Sequence, residues 1–289
     1  MSSLFDFDRQ QERYAVMGNP VAHSKSPLIH ALFARQFGLK ISYTAIQVDI
    51  GGFPQAVGNF QAAGGKGLNI TVPFKHEAWL LSDVRTPRAE LAGAVNTLSL
   101  KPDGSRHGDN TDGAGLVRDI MRNHAGRISG QRVLLLGAGG AVRGVLRSLL
   151  EEKPAQLTIV NRDVEKAREL AAVFAKMGKL EACAYAALAG REFDLIINGT
   201  SASLSGELPP IPNGILAKDA WCYDMMYAAT PTVFVRWGEG QGAMKSLDGL
   251  GMLVEQAAES FYVWHGVRPS TAPVLEEIKI TFALRLSDP

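Results

Sequence analysis

The chain has 289 residues, enough for two domains of ordinary size, each with its own core. A hydrophobic share of 46% against a charged share of 20% describes a globular protein and excludes a disordered one. The formal net charge of +1 gives no electrostatic footprint for nucleic acid or an anionic membrane, and no apolar run approaches bilayer-spanning length.

At the N-terminus, residues 2–12 alternate polar and charged groups with Phe5 and Phe7, a pattern of neither a secretory leader nor an Arg-rich transit segment. Cys183 and Cys222 fall in different elements and read as buried free thiols, which suits a reducing cytosol. The six histidines are scattered, with no pair at helical ligand spacing, so no metal site is expected.

The first third alternates element types. Residues 14–18, 43–48 and 68–72 read as strands, and 27–37, 53–62 and 76–81 as helices. Strands separated by helices of this length imply a mainly parallel, right-handed α/β layer. Residues 95–100 form a further strand, which Pro102-Asp103-Gly104 turns into a short hairpin return.

Polar groups gather where these elements end. Ser24 and Ser26 precede a helix with Pro27 at its first position, so Ser26 is the expected N-cap and Ser24 has no evident structural task. Two hydroxyls at a helix start also suit a carboxylate, because donors and dipole point at the anion. Alternation along 68–72 puts Leu68, Ile70 and Val72 on one face and Asn69 and Thr71 on the other, with Lys75 at the following turn. Asn96 lies in an otherwise apolar strand and needs partners there. In Gly108-Asp109-Asn110-Thr111-Asp112-Gly113 the chain crosses between domains, and Thr111 or Asp112 starts the next helix. Asp112, at that hinge, is the residue of this run best placed for chemistry.

The second domain opens with Val133-Leu134-Leu135-Leu136, followed at once by Gly137-Ala138-Gly139-Gly140-Ala141. A buried strand turning tightly into a helix brings backbone N–H groups and the helix dipole to a pyrophosphate. The third glycine of G-x-G-x-x-G is replaced by Val142. The helix 141–152 presents Val142, Val145, Leu146 and Leu149 on one face, and strand 157–160 ends in Asn161-Arg162. Proteins of this fold that bind NAD place a carboxylate there for the ribose, whereas Asn and a forked guanidinium suit a ribose phosphate. Asp163 is expected to cap the next helix, 167–176, with Lys166 one turn on. Strand 193–200 completes a βαβαβ unit, and helices 250–263 and 274–284 are expected to fold back on the first domain and close a cleft. Gln256 lies on the first of them.

Together these segments resemble the shikimate dehydrogenase family along almost the whole chain. The matching stretches are Gly18-Asn19-Pro20-Val21-Ala22-His23-Ser24-Lys25-Ser26-Pro27, Asn69-Ile70-Thr71-Val72-Pro73-Phe74-Lys75 and Ala92-Gly93-Ala94-Val95-Asn96-Thr97. They continue with Gly108 to Gly113, Gly137 to Ala141, Tyr223-Asp224-Met225 and Asp248-Gly249-Leu250-Gly251-Met252-Leu253. The resemblance implies an α/β substrate domain, residues 1–112 completed by helices 250–289, plus a Rossmann-type NADP-binding domain, 113–249. It implies that Lys75 and Asp112 form the catalytic pair. Ser24, Ser26 and Tyr227 would hold the substrate carboxylate, with Thr71, Lys75, Asn96, Asp112 and Gln256 on the ring oxygens. Gly137, Ala138, Gly139, Gly140, Ala141, Asn161, Arg162, Lys166, Met225 and Gly249 would bind NADP, with Met225 near the nicotinamide.

The implied activity is NADPH-dependent reversible reduction of 3-dehydroshikimate to shikimate by a cytoplasmic monomer or homodimer without nucleic-acid or membrane partners. An NAD-using quinate/shikimate dehydrogenase is the nearest alternative, and an idle cofactor-binding sensor a remote one. The family often has Thr and Arg after the Asn-Arg pair. Asp163 and Lys166 depart from that pattern and bear on the strength of the NADP preference.

Overall fold

The computed structural model describes residues 11–287, so most of the stretch 2–12, read above as neither leader nor transit segment, lies outside the described residues. The elements are β1 (Glu12–Gly18), α1 (Ser26–Gln36), β2 (Ile41–Gln47), α2 (Phe53–Ala62), β3 (Gly65–Ile70) and α3 (Lys75–Leu81). Then come β4 (Val84–Arg85), α4 (Pro87–Ala92), β5 (Thr97–Leu100), β6 (Arg106–Asp109) and α5 (Asp112–Arg118), which runs into a π-helical turn, Asp119–Asn123. The second sheet is built from β7 (Arg132–Leu136), α6 (Gly140–Glu151), β8 (Gln156–Val160), α7 (Val164–Phe174), β9 (Leu180–Cys183), β10 (Phe193–Asn198), β11 (Leu216–Asp224), α8 (Val233–Gly240) and β12 (Lys245–Leu247). The helices α9 (Leu250–His265) and α10 (Ala272–Ser287) follow.

Two six-stranded sheets result. The first has the order β2-β1-β3-β5-β6-β4. It is parallel from β2 to β3 and again between β6 and β4, but β5 runs antiparallel to both neighbours, and the hairpin at Pro102-Asp103-Gly104 joins it to β6. The second, β12-β11-β10-β7-β8-β9, is parallel throughout. This is the doubly wound order, and its switch point lies between β7 and β10, where such sheets bind ligands at the strands' C-terminal ends.

The apolar run in β7 serves both faces of that sheet. Val133 and Leu135 pack with Val142, Val145, Leu146 and Leu149 of α6, whereas Leu134 and Leu136 pack with Ile196, Cys222 and Phe234 on the other side. Both cysteines are free and buried, as expected. The third core cluster joins Ile29 and Phe33 of α1 to Val254, Ala257 and Phe261 of α9 and Ile278 of α10, so the C-terminal helices do fold back on the first sheet.

α5 is the crossing between the two halves, and its glycines set how closely they approach. A Cβ on Gly113 would stand 2.9 Å from the Gly144 carbonyl of α6, and one on Gly115 would stand 2.8 Å from the Met252 carbonyl of α9. The bare backbone therefore lets two helices close on α5 from two directions.

Several sequence expectations are corrected. The third strand stops at Ile70, beyond which Thr71 and Val72 form the loop to α3; Val72 is 61% exposed and does not share the core face of Leu68 and Ile70. Asn96 precedes β5 instead of lying within it. Helix α7 starts at Val164, three residues before the expected 167. Ser26 is not the N-cap of α1: Lys25 takes that position, in helical conformation and without a capping side chain. The hydroxyl with a local backbone task is that of Ser24, which accepts the Ser26 N–H at 3.2 Å. The strand β11 escaped notice because Lys218 and Asp219 interrupt its apolar run, and there Asp219 adopts a φ of +62°.

Candidate active site

Lys75 is the first residue of α3, at the exit of the loop from β3, and Asp112 is the first of α5. Two helix starts, 37 positions apart in sequence, thereby place Lys75 Nζ 2.5 Å from Asp112 Oδ2. The aspartate side chain is 8% exposed and the lysine 22%. Asp112 Oδ1 accepts Asn96 Nδ2 at 2.7 Å, so both carboxylate oxygens are occupied and the carboxylate plane is fixed. A protonated amine has three donors and Asp112 takes one, leaving Lys75 able to hold a ligand oxygen.

Asn96 is the hub behind this pair. Its Nδ2 also donates to Thr111 Oγ1 at 2.9 Å, with Gln256 Oε1 3.3 Å away on α9. Its Oδ1 accepts Thr97 Oγ1 at 2.8 Å and the Thr111 backbone N–H at 2.9 Å. Asn69 extends the network, donating Nδ2 to Ser260 Oγ at 3.0 Å and accepting the Tyr43 hydroxyl at 2.7 Å. The structure therefore brings Lys75, Asn96, Asp112 and Gln256 together. Thr71 stands one turn before Lys75, half-buried, with its methyl against Gly18.

Ser24 and Ser26 lie at the start of α1, half-buried and buried respectively. Tyr227 shares an aromatic neighbour with Lys25, the residue between the two serines. It meets Phe282 of α10 edge-on at 6.2 Å, and Phe282 carries Lys25 Nζ over its ring at 4.7 Å. Among the described residues no hydrogen bond joins Tyr227 to either serine. Burial, with the Asp248 carboxylate nearby, pushes the Tyr227 hydroxyl pKa up, so it stays a neutral donor.

On the second sheet the glycine turn has the form a dinucleotide needs. Gly137 takes a φ of +105°, a conformation L side chains rarely adopt. A Cβ on Gly139 or Gly140 would meet nothing within 4 Å, so open space lies before the N-terminus of the 12-residue α6. Val142, at the third glycine position, is wholly buried, and Gly199 supplies the missing room: a Cβ there would stand 2.5 Å from Val142 Cγ2. Gly249 likewise admits the Met225 carbonyl, which would be 2.3 Å from a Cβ. Asn161 and Arg162 follow β8 at the same edge, with Arg162 exposed and Asn161 Nδ2 turned to the Asp163 carbonyl at 2.9 Å. Asp163 caps α7 as expected, accepting the Glu165 N–H at 3.2 Å, and Lys166 lies 3.7 Å from its carboxylate. These groups fit a phosphorylated dinucleotide: a cradle without side chains for the pyrophosphate and an exposed guanidinium after the end of β8.

Sequence reasoning passed over Thr97 and Ser260, which complete the Asn69–Asn96 network, and Asn198 and Asp224 at the ends of β10 and β11. Asp224 accepts Asn198 Nδ2 at 3.0 Å and both Ser203 and Thr232 hydroxyls at 2.6 Å, while burial still pushes its carboxyl pKa up. The available signals were Ser260 four residues after Gln256, hence on one helix face, and polar residues closing two apolar parallel strands.

Three family models match in order along the chain. The shikimate dehydrogenase substrate binding domain covers residues 16–98, shikimate / quinate 5-dehydrogenase 119–205, and the shikimate 5'-dehydrogenase C-terminal domain 249–279. A shikimate dehydrogenase (NADP(+)) of Nitrosococcus oceani is 56% identical over 268 residues, 93% of this chain and 95% of that protein. Another, of Alkalilimnicola ehrlichii, is 58% identical over 93% of this chain and 98% of its own. The crystal structure of shikimate 5-dehydrogenase from Thermus thermophilus in complex with NADP(H) and shikimate superposes with a TM-score of 0.82 at 30% identity, covering 92% of this chain and 98% of that one. No described helix is long and apolar enough to cross a membrane. With its glycine cradle, its lysine–aspartate pair and these matches along nearly its whole length, the chain belongs to the shikimate dehydrogenase family.

Proposed function

We propose that Lys75 and Asp112 carry the proton chemistry of an NADP-dependent shikimate dehydrogenase, which reversibly reduces 3-dehydroshikimate to shikimate in the pathway to the aromatic amino acids. The 2.5 Å contact between Lys75 Nζ and Asp112 Oδ2, anchored from behind by Asn96, carries this reading.

Bound NADPH supplies the hydride. As the carbonyl carbon gains it, the oxygen becomes an alkoxide and must take up a proton. Lys75 Nζ, already oriented by Asp112, stabilises that developing charge with its remaining donors and delivers a proton to the oxygen. Asp112 shares the proton with Lys75 Nζ and fixes its direction, and in the oxidative direction the transfer reverses. Because Asn96, Thr111 and Gln256 are already joined to one another, the pair needs little rearrangement when substrate arrives.

Around that pair we assign the substrate carboxylate to Ser24, Ser26 and Tyr227, and the ring hydroxyls to Thr71, Asn96, Asp112 and Gln256. Gly137 to Ala141, Asn161, Arg162, Lys166, Met225 and Gly249 take the cofactor. Residues 1–112 with 250–289 form the substrate unit and 113–249 the cofactor unit, in a cytoplasmic enzyme working as monomer or homodimer. Asp163 is committed to its cap and to Lys166, which leaves Arg162 to set the preference for the ribose phosphate.

Nicotinamide absorbance followed with shikimate or quinate, each with NADP or NAD, tests the reading. Turnover is expected to be fastest with shikimate and NADP. Equal or better use of NAD, with activity on quinate, would move the broader-specificity alternative to first place.

A further inference from the structure

Behind the turn that carries Asp112 lies a second charged cluster, whose members are not among the residues assigned above to cofactor or substrate. Arg88 of α4 grips Asp109, the last residue of β6, with both arms of its guanidinium: Nε to Oδ1 and Nη2 to Oδ2, each at 2.6 Å. Asp109 Oδ1 also accepts the Thr86 hydroxyl at 2.6 Å and the Asn110 backbone N–H at 2.7 Å. Asn110 passes the constraint on, its Oδ1 accepting the Asp112 backbone N–H at 3.2 Å and its Nδ2 reaching the Ala94 carbonyl at 3.0 Å. Just ahead of β5, the Asn96 N–H donates to the Asp109 carbonyl at 3.0 Å. Asp112, which holds Lys75, and Asn96, which holds Asp112, are therefore both tied to Asp109, which is itself 5% exposed.

We propose that Arg88 is a positioning residue for the Lys75–Asp112 pair, acting through Asp109. The proposal rests on the catalytic reading of that pair given above. A planar fork is required because two parallel donors fix the carboxylate plane, which in turn directs Oδ1 at the Asn110 N–H; a lysine supplies a point charge and leaves the plane free to turn. Misplacing a reacting group by about 1 Å through a remote change costs on the order of 10²-fold in rate.

The same cluster also ties helices together. Arg88 Nη1 reaches Glu259 of α9 at 3.1 Å, and Glu259 Oε2 takes Arg118 and Arg268 at 2.7 Å each. That part meets the guanidinium only at Nη1, the nitrogen that makes no bond to Asp109, so the fork keeps both of its donors when Glu259 is changed. Arg88 and Glu259 also line a cavity of about 670 Å³ between α4, α5 and α6, so water can enter where a side chain is shortened.

The test compares Arg88→Lys, Glu259→Gln and Lys75→Met with the parent enzyme for kcat, KM for shikimate, the pH profile of kcat and Tm. Arg88→Lys is expected to lower kcat by about 10- to 100-fold. Its KM should stay within about threefold, and its kcat–pH profile should be displaced, because Asp112 no longer holds Lys75 in one place. Glu259→Gln is expected to lower Tm while leaving kcat within about twofold. Should Arg88→Lys not fold, Asp109→Asn takes its place; it keeps the acceptor for Asn110 but breaks the fork, and the same kcat loss is expected. Parent-like kcat and pH profile in the fork variant, or an equal kcat loss in Glu259→Gln, would overturn the proposal. Near-normal turnover of Lys75→Met would instead remove the catalytic reading beneath it.

Discussion

Around Lys75 and Asp112 the polar side chains are already bound to one another, whereas at the end of β8 Arg162 and Lys166 face solvent, with Lys166 only 3.7 Å from an exposed Asp163. The network around the pair is complete in itself, through partners drawn from β3, β5, α5 and α9. Preorganised donors lower a barrier because no reorganisation is needed during reaction, while an exposed rim contributes mainly to binding. Substitutions on the built side should therefore change kcat, and those on the rim should change cofactor affinity and leave kcat and stability largely intact.

The largest effect expected is from Lys75→Met, which should keep the fold and lower kcat by roughly 10²–10⁴-fold, the scale of a lost acid–base group. Steady-state turnover with saturating shikimate and NADP checks it, and a near-normal value would break the comparison at its centre. Ser24→Ala and Ser26→Ala should each weaken shikimate binding by about 1.5–3 kcal/mol, the scale of a hydrogen bond to a charged group. Because Ser24 holds the Ser26 N–H, Ser24→Ala should also cost up to about 1 kcal/mol of stability, whereas Ser26→Ala loses no cap. Equal thermal stability of the two variants would contradict that division.

On the rim, Arg162→Ala should lower kcat/KM for NADP by about one to two orders of magnitude and leave NAD nearly unaffected. Equal losses with both cofactors would mean that Arg162 shapes the rim instead of reading the phosphate.

The built side should also be the acid-sensitive one. His30 is fully buried, stacked on Tyr43 at 4.3 Å, and burial lowers its pKa to about 3. Between pH 6.5 and 3 the unfolded chain holds a proton there that the folded protein excludes, so stability falls with pH by about 1.4 kcal/mol per unit from this group alone. Glu259, held by three arginines, has its carboxyl lowered to about 2, and its contribution is lost as pH falls from 4.5 through 2. Denaturant melts of His30→Phe should show a flatter decline from pH 6.5 to 4.5, and an unchanged slope would rule His30 out as its source. The smallest effect belongs to Lys166→Ala, which should alter kcat/KM for NADP by less than about threefold, because an exposed pair contributes little.

The same contrast explains what was legible in the sequence. The cofactor half is encoded locally: an apolar run, three glycines in four positions and an Asn-Arg pair at the next strand end lie within thirty residues. The Asp163 cap was equally readable, since capping depends on one side chain and the next turn. Around Lys75 the decisive contacts join residues far apart in sequence, such as Asn69 with Ser260 and Asn96 with Gln256, and no periodicity announces such a pair. The division of labour between Ser24 and Ser26 was misread because it turns on the backbone of Lys25, whose helical φ and ψ move the start of α1 by one residue. Val72 was misplaced for a related reason: alternation predicts a face only while the strand continues, and β3 stops at Ile70. Tyr227 was assigned through family resemblance alone; its ring lies against Phe282, and among the described residues no hydrogen bond joins it to Ser24 or Ser26.

The measurement that bears most directly on the paired chemistry is a double-mutant cycle in kcat across Lys75→Met, Asp112→Asn and the combined variant. Two residues that act as one proton-transfer unit give strongly non-additive losses. The combined variant should then be about as slow as the slower single variant, with shikimate binding retained in all three. Losses that multiply, or a single variant with near-parental kcat, would show that the 2.5 Å contact is structural and that the proton comes from elsewhere.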